Sequence, residues 1–239
     1  MIRVTIWNEY RHEKKSDAVR ALYPDGIHGA VAEFLRADDV EITLATLDDP
    51  AQGLPDEVLD NTDVLFWWGH MAHKEVDDAL VERIFRRVHN GMGMVFLHSG
   101  HHSKPFSRIV GSTGNLTWGR DQNCIVWNLN PTHPIAAGIP AHFSLFEEMY
   151  GEPFYIPKPD DLIFATWYED GNLFRGGVTY TRGLGKIFFF HPGHEKCESF
   201  KNPHVQRILQ NALRWCAPVA PISDFDNSAC IHQTEPVVK

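Results

Sequence analysis

Apolar and polar positions follow two periods along this chain. Short apolar runs end abruptly at polar, glycine-containing knots, and stretches with a helical period lie between them. The runs at 2–7, 40–47, 64–68 and 94–97 suit buried parallel strands. Residues 27–37 place Ile27, Ala30, Val31, Phe34 and Leu35 on one face, and residues 76–88 form a charged amphipathic segment. Both read as helices. A short helix is expected around 55–59, within the polar connection 48–61. This strand–helix alternation predicts an α/β fold with a mostly parallel, doubly wound sheet and right-handed crossovers.

The second half is less regular. Strands are expected at 125–129, 162–167, 174–180 and 186–190, with hairpin turns at Gly171-Asn172 and Gly183-Leu184-Gly185. Residues 105–110 start a helix. A final helix over 203–215 carries Val205, Ile208, Leu209, Ala212 and Leu213 in period. From residue 217 onward there are three prolines and no period. The reading is one domain over 1–218 and an extended tail over 219–239.

At 239 residues, with 43% hydrophobic and 12% aromatic positions, the chain can bury a sizeable core. The net charge of -9 argues against a nucleic-acid partner, because no basic stripe meets phosphates. No apolar run is long enough to span a membrane. Met1 leads straight into a strand pattern, so no signal peptide is expected. The scattered cysteines Cys124, Cys197, Cys216 and Cys230 fit a reduced, cytoplasmic protein better than a disulfide framework. Gly111-Ser112-Thr113-Gly114 lacks the lysine and spacing of a phosphate loop, and no nucleotide cofactor is expected.

The chemistry-bearing residues collect where strands end. They are Asn8 and Glu9; Trp68, His70 and His73; His98 and His101; and His191, His194 and Glu195. In open α/β sheets that carboxyl edge is where ligands bind. His28 enters from the first turn of a helix, whose dipole favours its neutral form. Gly100 is expected to take backbone geometry that a side chain would forbid. Imidazole and carboxylate clusters bind zinc and similar metals, or supply acid–base pairs. The expected metal ligands are His28, His70, His98 and His194, with zinc first among divalent metals. His98, His101, Glu148 and Glu195 are the catalytic candidates. Asn8, Glu9, Trp68, His73 and Tyr150 are the substrate-binding candidates. No HExxH or C-x2-C motif appears, so the metal reading rests on convergence. His12 sits in the basic patch 11–15 and reads as part of a solvated face.

Two stretches, Phe96-Leu97-His98-Ser99-Gly100-His101-His102 and Phe189-Phe190-His191-Pro192, resemble the class I glutamine amidotransferase superfamily. The resemblance implies a flavodoxin-like, three-layer fold. That superfamily carries a cysteine in a Gly-x-Cys-x-Gly elbow. Here His98 takes the cysteine position, Phe96 replaces the first glycine, and Gly193 stands where the triad glutamate would be. A thiolate is the nucleophile that glutamine hydrolysis requires, so no glutaminase activity is expected.

A closer resemblance is to the ThuA-like family of trehalose-utilisation proteins. It is carried by Tyr23-Pro24-Asp25-Gly26-Ile27-His28-Gly29, Trp67-Trp68-Gly69-His70-Met71-Ala72-His73, Leu97-His98-Ser99-Gly100-His101, Glu147-Glu148-Met149-Tyr150-Gly151-Glu152 and Pro192-Gly193-His194-Glu195. The resemblance implies carbohydrate metabolism on trehalose, a related glycoside or its oxidised derivative. Two expectations follow. One is a metal-assisted sugar enzyme in which Glu148 or Glu195 moves a proton. The other is a non-catalytic sugar-binding or regulatory module. The density of titratable groups favours the enzyme. A small sugar ligand and a homo-oligomer are the expected partners.

Overall fold

The structure, a computed structural model, describes residues 1–220 and Ile222. Its nine strands are β1 (Ile2–Asn8), β2 (Val40–Thr46), β3 (Val64–Trp68), β4 (Gly93–Leu97), β5 (Thr117–Asn128), β6 (His142–Gly151), β7 (Asp161–Tyr168), β8 (Leu173–Arg182) and β9 (Gly185–Phe190). They form one sheet in the order β2-β1-β3-β4-β9-β8-β7-β5-β6. The β2-β1-β3-β4-β9 core is parallel throughout. Beyond β9 every pairing is antiparallel. The sheet is therefore mixed, with a parallel core and an antiparallel wing, rather than parallel over most of its width. The helices are α1 (His12–Lys15), α2 (Asp17–Leu22), α3 (Gly26–Leu35), α4 (Asp56–Asp60), α5 (Asp78–His89), α6 (Lys104–Phe106) and α7 (Pro203–Cys216).

The central strands β3 and β4 form because their side chains are apolar on both faces. Every residue of β3 and β4 is buried, as central parallel strands require. Trp7 of β1 stacks on Trp67 of β3 at 3.8 Å between ring centroids. Helix α5 buries Leu80, Val81, Ile84 and Val88. Helix α7 buries Val205, Ile208, Leu209, Ala212, Leu213 and Cys216. Pro203 opens α7, and the Asn202 side chain accepts from the backbone of His204 and Val205, a cap that satisfies two otherwise free N–H groups.

The wing departs most from the sequence pattern. Strand β5 begins at Thr117, eight residues before the expected start at 125. Its first half carries Arg120 and Asp121 and buries little besides Gln122 and Cys124, so apolar content alone does not reveal it. The expected helix at 105–110 is only α6 followed by a wide turn. A register shift between Trp118 and Asp121 interrupts the β5–β6 ladder, and such bulges bend strands. Although β6 is the far edge of the sheet, the wing curls back and brings Glu147–Tyr150 against the ends of β4 and β9.

No helix among the described residues is long and apolar enough to cross a membrane. Cys124, Cys197 and Cys216 are free and buried. Cys230 and almost all of the expected tail lie outside the described residues.

Candidate metal centre

The polar knots all fall at the carboxyl edge of the parallel core. His12 follows β1, His70 follows β3, His98 follows β4, and His194 and Glu195 follow β9. Glu148 and Tyr150 arrive from β6. At the end of β4 it is His98, not Gly100, that takes the left-handed backbone, with φ of 47°. Gly100 instead allows a close approach, since a Cβ there would stand a tight 3.3 Å from the Trp67 carbonyl oxygen. The turn at His98 resembles the strained elbow that lifts a functional side chain off a strand.

His70, His98, His194 and Glu148 each offer a ligand atom, and the four atoms lie within 4.8 Å of one another. The imidazole centroids are 5.2 Å apart for His98–His194, 5.8 Å for His70–His98 and 6.0 Å for His70–His194. Ligands of a tetrahedral zinc stand about 3.4 Å apart, from bonds of about 2.0–2.1 Å, so small side-chain movements would bring this set to the spacing a cation needs.

The outer atoms of these rings are already engaged. His98 Nδ1 donates to the His191 carbonyl oxygen at 3.1 Å, which leaves Nε2 facing Glu148 Oε2 at 3.2 Å and the Tyr150 hydroxyl at 3.4 Å. His194 Nδ1 lies 2.9 Å from Asp121 Oδ1. His70 Nδ1 meets His12 Nε2 at 2.7 Å. A second partner on the far nitrogen is the usual way to fix the orientation of a ligating histidine.

Electrostatics suit the same reading. Burial holds His98 well below its ordinary pKa, and His70 is lowered for the same reason. Both are neutral and carry free lone pairs at neutral pH. His194 is the exception. Burial opposes its charge, but the Glu195 carboxylate 3.2 Å from Nε2 overrides this and lifts it to about 9. Glu195 is buried too, yet His194 and its imidazole neighbours hold it well below the usual carboxylate range. Burial raises Glu148.

A cleft of about 260 Å³ opens beside these residues, lined by His70, His101, His102, Trp118, Glu148 and Tyr150 among others. His101 Nδ1 donates to the Gly114 carbonyl oxygen at 2.7 Å, so its Nε2 is an acceptor in the neutral ring.

The structure separates the remaining sequence candidates from this cluster. His28 is bound to Asn8 at 3.1 Å and belongs to none of the ligand-like groups among the described residues. Asn8 also donates to Glu13 and accepts from the Tyr10 N–H. Glu9 accepts the N–H groups of His70, Met71 and Ala72 at 2.7–2.9 Å, so it shapes the loop that carries His70. Trp68 is buried and donates to the Gly193 carbonyl oxygen. His73 sits beside His102, with ring centroids 6.4 Å apart. Of the expected substrate-binding set, Tyr150 lines the cleft.

Two residues escape the sequence reading. His12 does not lie on a solvated face. Its ring is only 12% exposed and bridges His70 and Glu195, while Arg11 and Lys14 of the same run turn out to Asp48. Its position just past the end of β1 was the available signal. Glu147 is fully buried and accepts from the N–H groups of Gly193, His194 and Glu148 and from the Ser199 hydroxyl. It thereby ties β6 to the His194 turn. Gly193 adopts φ of 141° in that turn, and a Cβ there would lie 2.7 Å from the Phe200 ring.

Residues 3–216 match the family model described as ThuA, trehalose utilisation. No curated protein matches the chain in sequence. Among solved structures, a ThuA-like protein from Parabacteroides merdae superposes with a TM-score of 0.65 at 15% identity, covering 90% of this chain and 89% of its own. A ThuA-like protein from Bacteroides uniformis gives 0.63 at 16% identity, covering 90% and 91%. A glutamine amidotransferase from Thermotoga maritima gives 0.53 at 12% identity, covering 90% and 97%. These likenesses are of fold.

Proposed function

The chain belongs to the ThuA family of trehalose utilisation, and on that premise we propose that it is a metal-assisted enzyme acting on a sugar or keto-sugar. The observation that carries the proposal is the convergence of His70, His98, His194 and Glu148 within 4.8 Å, beside a cleft that His70 and Glu148 line. Those four residues would hold a divalent cation, zinc first, because three imidazoles and one carboxylate are its ordinary donors. When bound, the cation would polarise a carbonyl or hydroxyl oxygen of the sugar.

The chain's own groups do the rest. Glu148 is spent on the cation, so the proton transfer falls to a group outside that set. His101, kept neutral by burial, offers Nε2 as an acceptor in the cleft wall. Tyr150 lies over the His98 ring at 5.1 Å between centroids and fixes it. The cleft volume of about 260 Å³ lies just below the about 300–1,000 Å³ of ligand pockets and suits one sugar ring. The amidotransferase route is closed. His98 occupies the elbow, and the nearest thiol, Cys197, 3.8 Å from His194 Nδ1, is pushed far up by burial and is not a thiolate.

Elemental analysis of untagged protein, before and after zinc supplementation, tests the metal. Oxidised trehalose derivatives then test turnover, which is expected to be lost on chelation and restored by zinc. Less than about a tenth of an equivalent of any transition metal after supplementation would sink the proposal. Sugar binding that persists without metal or turnover would establish the non-catalytic module instead.

A further inference from the structure

We propose that a second divalent cation binds beside the first, held by His12, His70 and Glu195. This rests on the metal reading above and extends it. His70 belongs to both clusters, and with two cations it passes from the first to the second: His98, His194 and Glu148 hold one, and His12, His70 and Glu195 the other, each set two imidazoles and one carboxylate. Such a set leaves coordination positions open for a ligand.

The geometry of the second set is already close. Its three ligand atoms lie within 4.8 Å of one another. His12 Nε2 and His70 Nδ1 face each other at 2.7 Å. His12 Nδ1 is 3.3 Å from Glu195 Oε1. The independent sign is Glu195 Oε2. The residue is 1% exposed, and this oxygen has no hydrogen-bond partner. Around it stand His194 Nε2 at 3.2 Å and His70 Nδ1 at 4.0 Å. A buried carboxylate oxygen ringed by imidazole nitrogens, ion-paired to His194 but accepting no hydrogen bond, has the surroundings of a metal ligand.

Charge leads to the same place. A histidine that ligates the first cation does so as a neutral ring. With His194 so engaged, Glu195 is a buried carboxylate among neutral imidazoles, an arrangement that a fold does not sustain unpaired. No basic side chain of the neighbouring run replaces the lost partner. Arg11 is committed to Asp48 and Glu75, Lys14 to Asp48, and Lys15 points to Met71. Glu9 is consumed by backbone N–H groups and offers no competing ligand. A second cation neutralises Glu195 where it lies. Two adjacent cations can clamp two oxygens of one ligand, which points to a vicinal diol or hydroxy-carbonyl unit of a sugar as the chemistry recognised.

The test is zinc titration of metal-stripped, untagged full-length protein, with bound metal counted after desalting. Wild type is expected to hold about two equivalents, and His12→Ala and His12→Gln about one, with unchanged circular dichroism. Loading with manganese(II) should give a spin-coupled resonance signal in wild type that the His12 variants lose. The glutamine variant guards against misfolding of the alanine one. Saturation of wild type at one equivalent overturns the second site and leaves the proposed function standing. Two equivalents retained in both His12 variants also overturns it. No bound zinc at all overturns the proposed function together with this extension.

Discussion

His98 concentrates the chemistry and the strain of the site in one residue. A left-handed, non-glycine backbone costs about 1–2 kcal/mol, and here it aims Nε2 at Glu148 while Nδ1 is fixed by the His191 carbonyl. His98→Ala is expected to abolish binding of the first cation and turnover while the protein stays folded. Its melting point should fall modestly, because the orphaned carbonyl costs about 1–3 kcal/mol. Metal content and thermal melting on the same preparation check this, and full metal occupancy in the folded variant would displace His98 from the centre. His194 sets a pH dependence. Its pKa of about 9 lies above the 6.5 of an unfolded chain, so its ion pair stabilises fully below pH 6.5 and is lost as pH rises through 9. The neutral, buried His98, His101 and His191 act oppositely and destabilise the fold as pH falls below 6.5. Metal-free protein should therefore lose stability between pH 6.5 and 9, by at most about 3 kcal/mol, and His194→Gln should be flat over that range. Melting of chelator-treated protein across the window measures it. His70, His98 and His194 could be singled out in the sequence because each follows a strand end in a short motif, whereas Glu148, read there as a catalytic candidate, lies within β6. His12 could not be, because the charges around it resemble a solvated face. The structure places His28 against Asn8 and outside the cluster, because helix position says nothing of the Asn8–Glu13 network beside it.

At the scale of elements, strand ends deliver the clustered imidazoles, and a few buried carboxylates hold the delivering loops. Glu9 gathers the loop after β3, and Glu147 joins β6 to the turn after β9. Glu147→Ala would leave the N–H groups of Gly193 and His194 and the Ser199 hydroxyl unsatisfied. A loss of about 1–3 kcal/mol is expected, with metal affinity lowered about 10–100-fold. Metal competition against a chelator, beside thermal melting, separates the two effects. An unchanged affinity would mean that the turn holds itself. The parallel strands, the hairpins of the wing and the last helix could be read from apolar runs and glycine turns. The first half of β5 could not, because its polar residues carry no apolar alternation. The contact between Glu148 and His98 arises from curling of the wing, a tertiary feature with no local signature.

For the whole molecule, one mixed sheet brings residues from positions 12 to 195 to a single edge. Membership of the ThuA family names a field of metabolism, and the amidotransferase-like fold supplies the scaffold. The chemistry lies in the side chains at the edge, as it does whenever one fold hosts several functions. Sequence pattern reached the scaffold because apolar periodicity encodes it. It reached the site only in part, because convergence of distant loops is a property of the fold. A crystal of the zinc-loaded protein, measured on both sides of the zinc absorption edge, tests that convergence directly. The expected result is an anomalous peak about 2.0–2.1 Å from the nitrogens of His98 and His194, with a Glu148 oxygen at about 2.0–2.2 Å. No peak at this edge of the sheet, or zinc bound only at surface histidines, would contradict it.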